Sequence, residues 1–257
     1  MALKKFVCII PARYASTRFP GKPLAMIGGK TMIRRVYEQA LKVLPDVVVA
    51  TDDERIQREV ESFGGVAVMT SDLHRSGTDR CYEALEKLND EYDVVINIQG
   101  DEPFIQPQQI VQLTSCFNDD HTQIATLARQ VLPSDGQDFL FDMNRPKVVL
   151  NARNEALYFS RNVIPYLRSV PAELYLSHHE FFTHIGIYAY KKAILKEIVG
   201  LPTSKNEIAE SLEQLRWLDH GYRIQVAITR ELSHGIDTAQ DLINAEKYYL
   251  ENQNLWL

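Results

Sequence analysis

Between Ile10 and Leu24 the chain reads IPARYASTRFPGKPL, and Arg13, Arg18 and Lys22 fall within it without one acidic neighbour. Three cations and Gly21 in one loop suit an anionic ligand, because side-chain charge and free backbone N–H groups can converge on it. Phosphate is the natural ligand, although a solvated basic loop has the same composition. A second stretch, NIQGDEPFI, sets Asp101 and Glu102 after Gly100 and before Pro103. A carboxylate there could hold Mg²⁺ against a phosphate, since that ion takes one or two protein carboxylates and leaves the rest of its shell to water and substrate. An ordinary polar turn fits the same pattern.

Near the end of the chain, HGIDTAQDL offers Asp237 followed by Thr238 and Asp241. Helix capping accounts for Thr238 and Asp241. It leaves Asp237 over, apart from the favourable place of any acid at a helix start. In RSGTDR, Ser76 to Asp79 read as another helix start, or as hydroxyl and backbone contacts to a nucleobase or sugar. HHEFFTH misses the zinc pattern H-E-x-x-H, because Thr183 stands where the second histidine belongs and His184 follows it. His184 is then a structural histidine or a ligand contact at a strand end. Glu213 and Gln214, in EQLR, read as solvated positions of an amphipathic helix. Gly29-Lys30-Thr31 resembles the tail of a P-loop, but Leu24 occupies the position of its first glycine, and no G-x-G-x-x-G follows the first apolar run.

These residues need a frame to hold them. Phe6 to Ile10, Val47 to Ala50, Val66 to Met69 and Val94 to Ile98 are short, nearly unbroken apolar runs, the mark of parallel strands covered on both faces. Between them lie helical patterns. Ile33, Val36, Tyr37, Ala40, Leu41 and Leu44 line one face and stop near Pro45. A second helix is predicted after Thr51, with Thr51 and Glu54 as a capping box and Gly64-Gly65 as its end, and a third near Ser76. The alternation predicts an α/β fold with right-handed crossovers and a ligand crevice beyond the carboxyl ends of the strands, where Arg13, Asp52 and Asp101 fall. From about residue 120 to 190 the apolar runs lack regular helices between them, which predicts an inserted strand-rich lobe within a single domain spanning 1–257. Helical spacing returns at Ile208, Leu212, Leu215 and Leu218. A strand follows at Ile224 to Ile228, and a helix from about Thr238 closes the chain.

Lys and Arg number 28 against 34 Asp and Glu, a net charge of -6 that argues against a general nucleic-acid surface. Cys8, Cys81 and Cys116 lie far apart and form no C-x-x-C, which suggests reduced thiols. The opening MALKK has no signal-peptide pattern, and no apolar run nears the ~18 residues of a membrane span. A cytoplasmic protein without membrane partners is the expectation.

Taken in order, IIPARYASTRFPGKPL, VVVATDD, SGTDR, INIQGDEP, ALYFSR, HIGIYAY, LEQLRWL and GIDTAQDL resemble the 3-deoxy-manno-octulosonate cytidylyltransferases, or CMP-Kdo synthetases. The resemblance spans almost the whole chain. It implies a Rossmann-like nucleotidyltransferase fold, with a mostly parallel central sheet and a small strand-rich dimerisation lobe, working as a homodimer. The implied reaction couples CTP to the acidic sugar Kdo, giving CMP-Kdo and pyrophosphate for lipopolysaccharide assembly. By position, Arg13, Arg18 and Lys22 would surround the triphosphate, Ala12, Ser76 and Gln99 would lie near the cytidine, and Asp101 and Asp237 would hold Mg²⁺. Arg161, His184, Tyr188, Glu213 and Gln214, with Arg80 as an addition, would surround the sugar acid. Arg13, Lys22 and Asp101 would stabilise the charge that builds up during transfer. The rival readings are a cytidylyltransferase for another acidic sugar, such as 8-amino-Kdo or sialic acid, and a silent nucleotide-sensing module.

Overall fold

Val7 to Ala12 are buried without a break, and they form most of β1 (Phe6–Ala12), a strand that only a sheet covered on both faces can accommodate. The structure, a computed structural model, describes residues 4–15, 19–89, 91–232 and 235–252. The chain divides into two compact units, Met1–Ile110 with Ser233–Leu257, and Val111–Leu232.

In the first unit β1 leads through a small hairpin, β2 (Met26–Ile27) and β3 (Lys30–Thr31), into α1 (Met32–Leu41). Then come β4 (Val47–Thr51), α2 (Glu54–Ser62), β5 (Ala67–Met69), α3 (Gly77–Lys87), β6 (Val94–Asn97) and α4 (Pro107–Ser115), within which the unit boundary falls. β1 pairs in parallel with β4 and with β6, and β4 with β5, so the order is β6-β1-β4-β5. The four apolar runs therefore form the parallel sheet that the sequence predicts.

One predicted cap moves. Thr51 is the last residue of β4, and Asp53 caps α2 by accepting from Arg55 N at 2.9 Å. Thr51 Oγ1 instead accepts from Asp53 N at 3.2 Å, so the strand end and the cap are joined by one short turn. The helix ends where expected, with Gly64 at φ +80°. α3 starts at Ser76, whose Oγ accepts from Asp79 N at 3.1 Å.

The second unit contains β7 (Ile124–Gln130), α5 (Gln137–Phe141), β8 (Lys147–Leu150), β9 (Ala156–Ser160), α6 (Tyr175–His178), β10 (Phe182–Lys191), α7 (Lys192–Ile198), α8 (Lys205–Glu210), α9 (Gln214–Asp219) and β11 (Ile224–Thr229). β7 pairs antiparallel with β10 and parallel with β11, while β8 pairs antiparallel with β10 and β9. This unit reaches beyond the 120–190 stretch, because β11 runs beside β7 from Ile224 opposite Ile124 to Thr229 opposite Arg129. The continuous helix expected over Ile208 to Leu218 is two helices. Ser211, at φ +52°, ends α8, and α9 restarts beyond Leu212.

α10 (Ala239–Glu251) returns to the first unit, capped by Thr238 and Asp241 as its sequence predicts. Its Ala245 joins Ile236, Ile27, Met32 and Phe104 in one apolar cluster. Gly28 N donates to Glu246 Oε2 at 2.8 Å, and the Arg35 guanidinium stacks 4.1 Å from the Tyr249 ring. Gly28, at φ +52°, leaves the space that the Tyr249 ring fills. No helix among the described residues is long and apolar enough to cross a membrane.

Candidate active site

The first unit opens a pocket at the carboxyl ends of β1 and β6, where the crevice of a parallel sheet belongs. Pro11, Ala12 and Arg13 line it from β1, Ser76 and Gly77 from the start of α3, and Gln99 to Asp101 from the turn after β6. Lys22, Arg80 and Asp237 complete the residues that matter here. The three segments press together: a Cβ on Gly77 would lie 3.1 Å from Pro11 Cγ, and one on Gly100 3.0 Å from Pro11 O. Glycine at both positions is what allows the loops to approach so closely.

Lys22 is aimed by its own turn. Gly21, at φ +72°, donates its N–H to Tyr14 O at 2.9 Å and starts the short turn Lys22–Leu24. The Lys22 ammonium then donates to Asp101 Oδ2 at 2.6 Å and to Asp237 Oδ1 at 3.2 Å. The two acids come from segments 136 positions apart in the numbering, yet Ile236 N donates to Asp101 O at 3.0 Å and fixes them side by side. The unexplained Asp237 of the capping motif thus lies beside Asp101. Arg13 is exposed on the pocket wall. Arg18 lies outside the described residues.

Arg80 is buried on that wall, with Nη1 donating to Thr70 Oγ1 at 2.6 Å and Nη2 to Asp52 Oδ2 at 2.7 Å. Its partners sit just after β5 and β4, so it ties two strand ends beneath the pocket. Gln99 Nε2 donates to Asn97 Oδ1 at 3.0 Å, which sets the orientation of its amide. His74 and Arg75 also line the pocket, and the sequence reading missed both. They precede the helix cap and carry no pattern of their own.

The second unit holds the other group of residues. β10 carries a register shift between Ile185 and Tyr188, and Thr126 Oγ1 lies 2.8 Å from Ile187 O at the irregularity. Residues four apart on a straight strand are separated by about 13 Å. Here the His184 and Tyr188 rings lie 5.4 Å apart. His184 lies within β10, with Nε2 3.0 Å from Thr126 Oγ1 and its ring edge-on to Phe159. Burial lowers its pKa to about 3, so the imidazole is neutral at pH 7.

Tyr188 packs edge-on against Trp217 at 5.0 Å. Its Oη is buried without a hydrogen-bond partner among the described residues, as is Trp217 Nε1. Burial first, and the Glu213 carboxylate second, push the phenol well above its usual pKa. Gln214 is buried rather than solvated, because α9 begins at it and turns this residue inward. The pair Arg216 Nε to Glu207 Oε2, at 2.7 Å, holds α9 to α8 across the break at Ser211. Arg161 donates to the carbonyls of Glu210, Met143 and Ser211 at 2.7, 3.1 and 3.3 Å.

No group of three or more His, Cys, Asp or Glu side chains gathers around one position among the described residues. Asp101 and Asp237 converge on a shared cation, the Lys22 ammonium. A parallel sheet with a phosphate-suited loop and a carboxylate pair at its open end is the arrangement of a nucleotidyltransferase, and the cytidylyltransferase family model matches residues 7–226. A 3-deoxy-manno-octulosonate cytidylyltransferase of Parabacteroides distasonis is 59% identical over 244 residues, covering 95% of this chain and 97% of its own. The solved structure of a CMP:2-keto-3-deoxy-manno-octonic acid synthetase complexed with CTP is 41% identical, with a TM-score of 0.88 over 96% of this chain and 99% of that one. This chain belongs to the 3-deoxy-manno-octulosonate cytidylyltransferase family. A 4-diphosphocytidyl-2C-methyl-D-erythritol synthase of Anaerococcus prevotii, 13% identical with a TM-score of 0.61 over 96% of this chain and 99% of its own, shares the fold.

Proposed function

We propose that the protein transfers CMP from CTP to the anomeric hydroxyl of Kdo, releasing pyrophosphate, in the cytoplasm and as a homodimer. The observation that carries the reading is the meeting of Lys22, Asp101 and Asp237 at the mouth of a strand-end pocket, in a chain so similar to named Kdo cytidylyltransferases. One bond forms, from the anomeric oxygen to the α-phosphorus. One breaks, from the α-phosphorus to the oxygen bridging to the β-phosphate, and the hydroxyl proton is released.

Charge builds on the phosphate oxygens and on the departing pyrophosphate, and transfer of this kind is governed by positioning and electrostatic stabilisation. Arg13 and Lys22, with Arg18 by resemblance, supply cations to the triphosphate. Ala12, Ser76 and Gln99 line the pocket where the cytidine is proposed to lie. Asp101 and Asp237 fit Mg²⁺, since their oxygens already face one cation and two carboxylates plus phosphate oxygens suit that ion. Bound there, Mg²⁺ would neutralise phosphate charge and lower the pKa of an oxygen nucleophile.

Arg161, His184, Tyr188, Glu213 and Gln214 are the proposed sugar-acid residues, and Arg80 is a further candidate. The buried Tyr188 hydroxyl, without a hydrogen-bond partner among the described residues, supports a polar ligand for the second unit, because such groups are rarely left unsatisfied. The same unit exposes Met143, Leu157, Tyr166 and Ile208, at 65, 58, 79 and 69%, which supports a subunit contact made by it. The absence of a disulfide among Cys8, Cys81 and Cys116 is consistent with a reducing compartment.

Incubation with CTP and Mg²⁺ and, separately, Kdo, 8-amino-Kdo and sialic acid, with pyrophosphate release as the readout, tests the reading. Release fastest with Kdo is expected. Release with another sugar alone would reassign the substrate, and CTP binding without turnover on any sugar would favour the sensing module.

A further inference from the structure

We infer that Lys22 is a built-in stand-in for the divalent cation, occupying the carboxylate pair until CTP draws its ammonium away, so that metal and nucleotide bind together. The inference rests on the metal reading of Asp101 and Asp237 proposed above. Its ground is the geometry of three groups. Lys22 Nζ lies 2.6 Å from Asp101 Oδ2 and 3.2 Å from Asp237 Oδ1, with its side chain 13% exposed against 29 and 48% for the two acids.

An ammonium and a dication cannot contact the same two oxygens at once. In a partly buried cleft their repulsion is only weakly screened, so one excludes the other. Conversely, two carboxylates side by side repel each other when nothing lies between them. Lys22 removes that repulsion in the nucleotide-free protein, and it does so at the cost of competing with the metal.

The exchange requires movement of the side chain alone. Gly21 N to Tyr14 O at 2.9 Å and Leu24 N to Gly21 O at 2.9 Å hold the backbone on either side of Lys22. Four methylenes give the ammonium freedom to swing from carboxylate to phosphate within the pocket that both line. The triphosphate then satisfies the ammonium, and the released carboxylates take the metal together with phosphate oxygens. Because such coupling is reciprocal, CTP raises metal affinity and metal raises CTP affinity by the same factor.

The test reads metal binding, with Mn²⁺ as the probe and electron paramagnetic resonance of the unbound ion as the signal. Without nucleotide, Lys22→Met is expected to bind Mn²⁺ about tenfold or more tightly than the native protein, as removal of a competing charge requires. Asp101→Asn added to Lys22→Met is expected to abolish the gain. Lys22→Gln serves as a second variant, and circular dichroism with thermal unfolding checks that each variant is folded. Equal or weaker binding by both Lys22 variants overturns the inference; if Asp101→Asn alone still removes the Mn²⁺ held in the presence of CTP, the metal reading survives it. Mn²⁺ binding indifferent to Asp101→Asn in every background overturns both.

Discussion

The two units carry polar groups in opposite ways. In the first, Lys22, Asp101 and Asp237 are part-exposed and satisfy one another, and Arg80 is satisfied by Asp52 and Thr70. In the second, His184 and Tyr188 are packed among aromatic rings, the imidazole is held neutral, and the Tyr188 hydroxyl has no partner among the described residues. A ligand bearing several negative charges suits the first, where the part-exposed Lys22 ammonium already pairs with two anionic groups. A ligand recognised by shape and a few hydroxyl contacts suits the second, because fixed, desolvated groups discriminate strongly when a partner is missing.

The sharpest way to break this comparison is to remove charge from the first unit. Asp101→Asn is expected to lower kcat by about 10²- to 10³-fold, in the range seen when an electrostatic stabiliser is lost from a reacting centre. Pyrophosphate release measures it, and unchanged far-ultraviolet circular dichroism shows that the fold persists. Turnover within a few-fold of native would remove Asp101 from the chemistry and leave Lys22 as a structural ion pair.

The second unit responds to pH through stability. His184 has its pKa lowered from 6.5 to about 3 by burial, so the folded state refuses a proton that the unfolded chain accepts. Its contribution is complete above pH 6.5 and is lost as pH falls from there toward 3, at about 1.4 kcal/mol per unit. Urea unfolding at pH 7.5 and 5 is expected to show a larger acid loss for the native protein than for His184→Gln. Parallel losses in the two proteins would mean that the imidazole titrates freely.

The difference between the units also explains what was legible in the sequence. The strands, the loop around Lys22 and the turn at Asp101 could be read because local signals set them: unbroken apolar runs, Gly21 and Gly100, and a following proline. From local pattern Asp237 was only a residue that capping left unexplained, and it was the resemblance that put it beside Asp101, since their meeting depends on the α10 docking through Glu246 and Tyr249. The second unit was less legible. The irregularity that brings His184 to Tyr188 depends on Thr126 from another strand, and the inward turn of Gln214 depends on a break at Ser211 that apolar spacing does not mark. Gln214 looked solvated for that reason.

Tyr188→Phe sharpens the comparison, because binding and stability should move in opposite directions. If the hydroxyl waits for the sugar, its loss is expected to raise KM for Kdo about tenfold. Removal of a buried group without a partner should also stabilise the ligand-free fold by about 1 kcal/mol. Steady-state kinetics and urea unfolding on one preparation read both. A lower stability with unchanged KM would mean that Tyr188 serves packing against Trp217 and nothing else.

The smallest expected effect lies at the break itself. Ser211 is exposed at φ +52°, a left-handed conformation that costs an L-residue about 1 kcal/mol and glycine almost nothing. Part of that gain is offset by the greater freedom of glycine in the unfolded chain. Ser211→Gly is therefore expected to raise unfolding free energy by about 0.5 kcal/mol, read as a small rise in urea midpoint. Its carbonyl still accepts from Arg161, and the Glu207–Arg216 pair still holds the two helices. A loss of stability would show that the serine side chain makes a contribution larger than the backbone strain it imposes, and the break would then be a designed bend rather than a tolerated one.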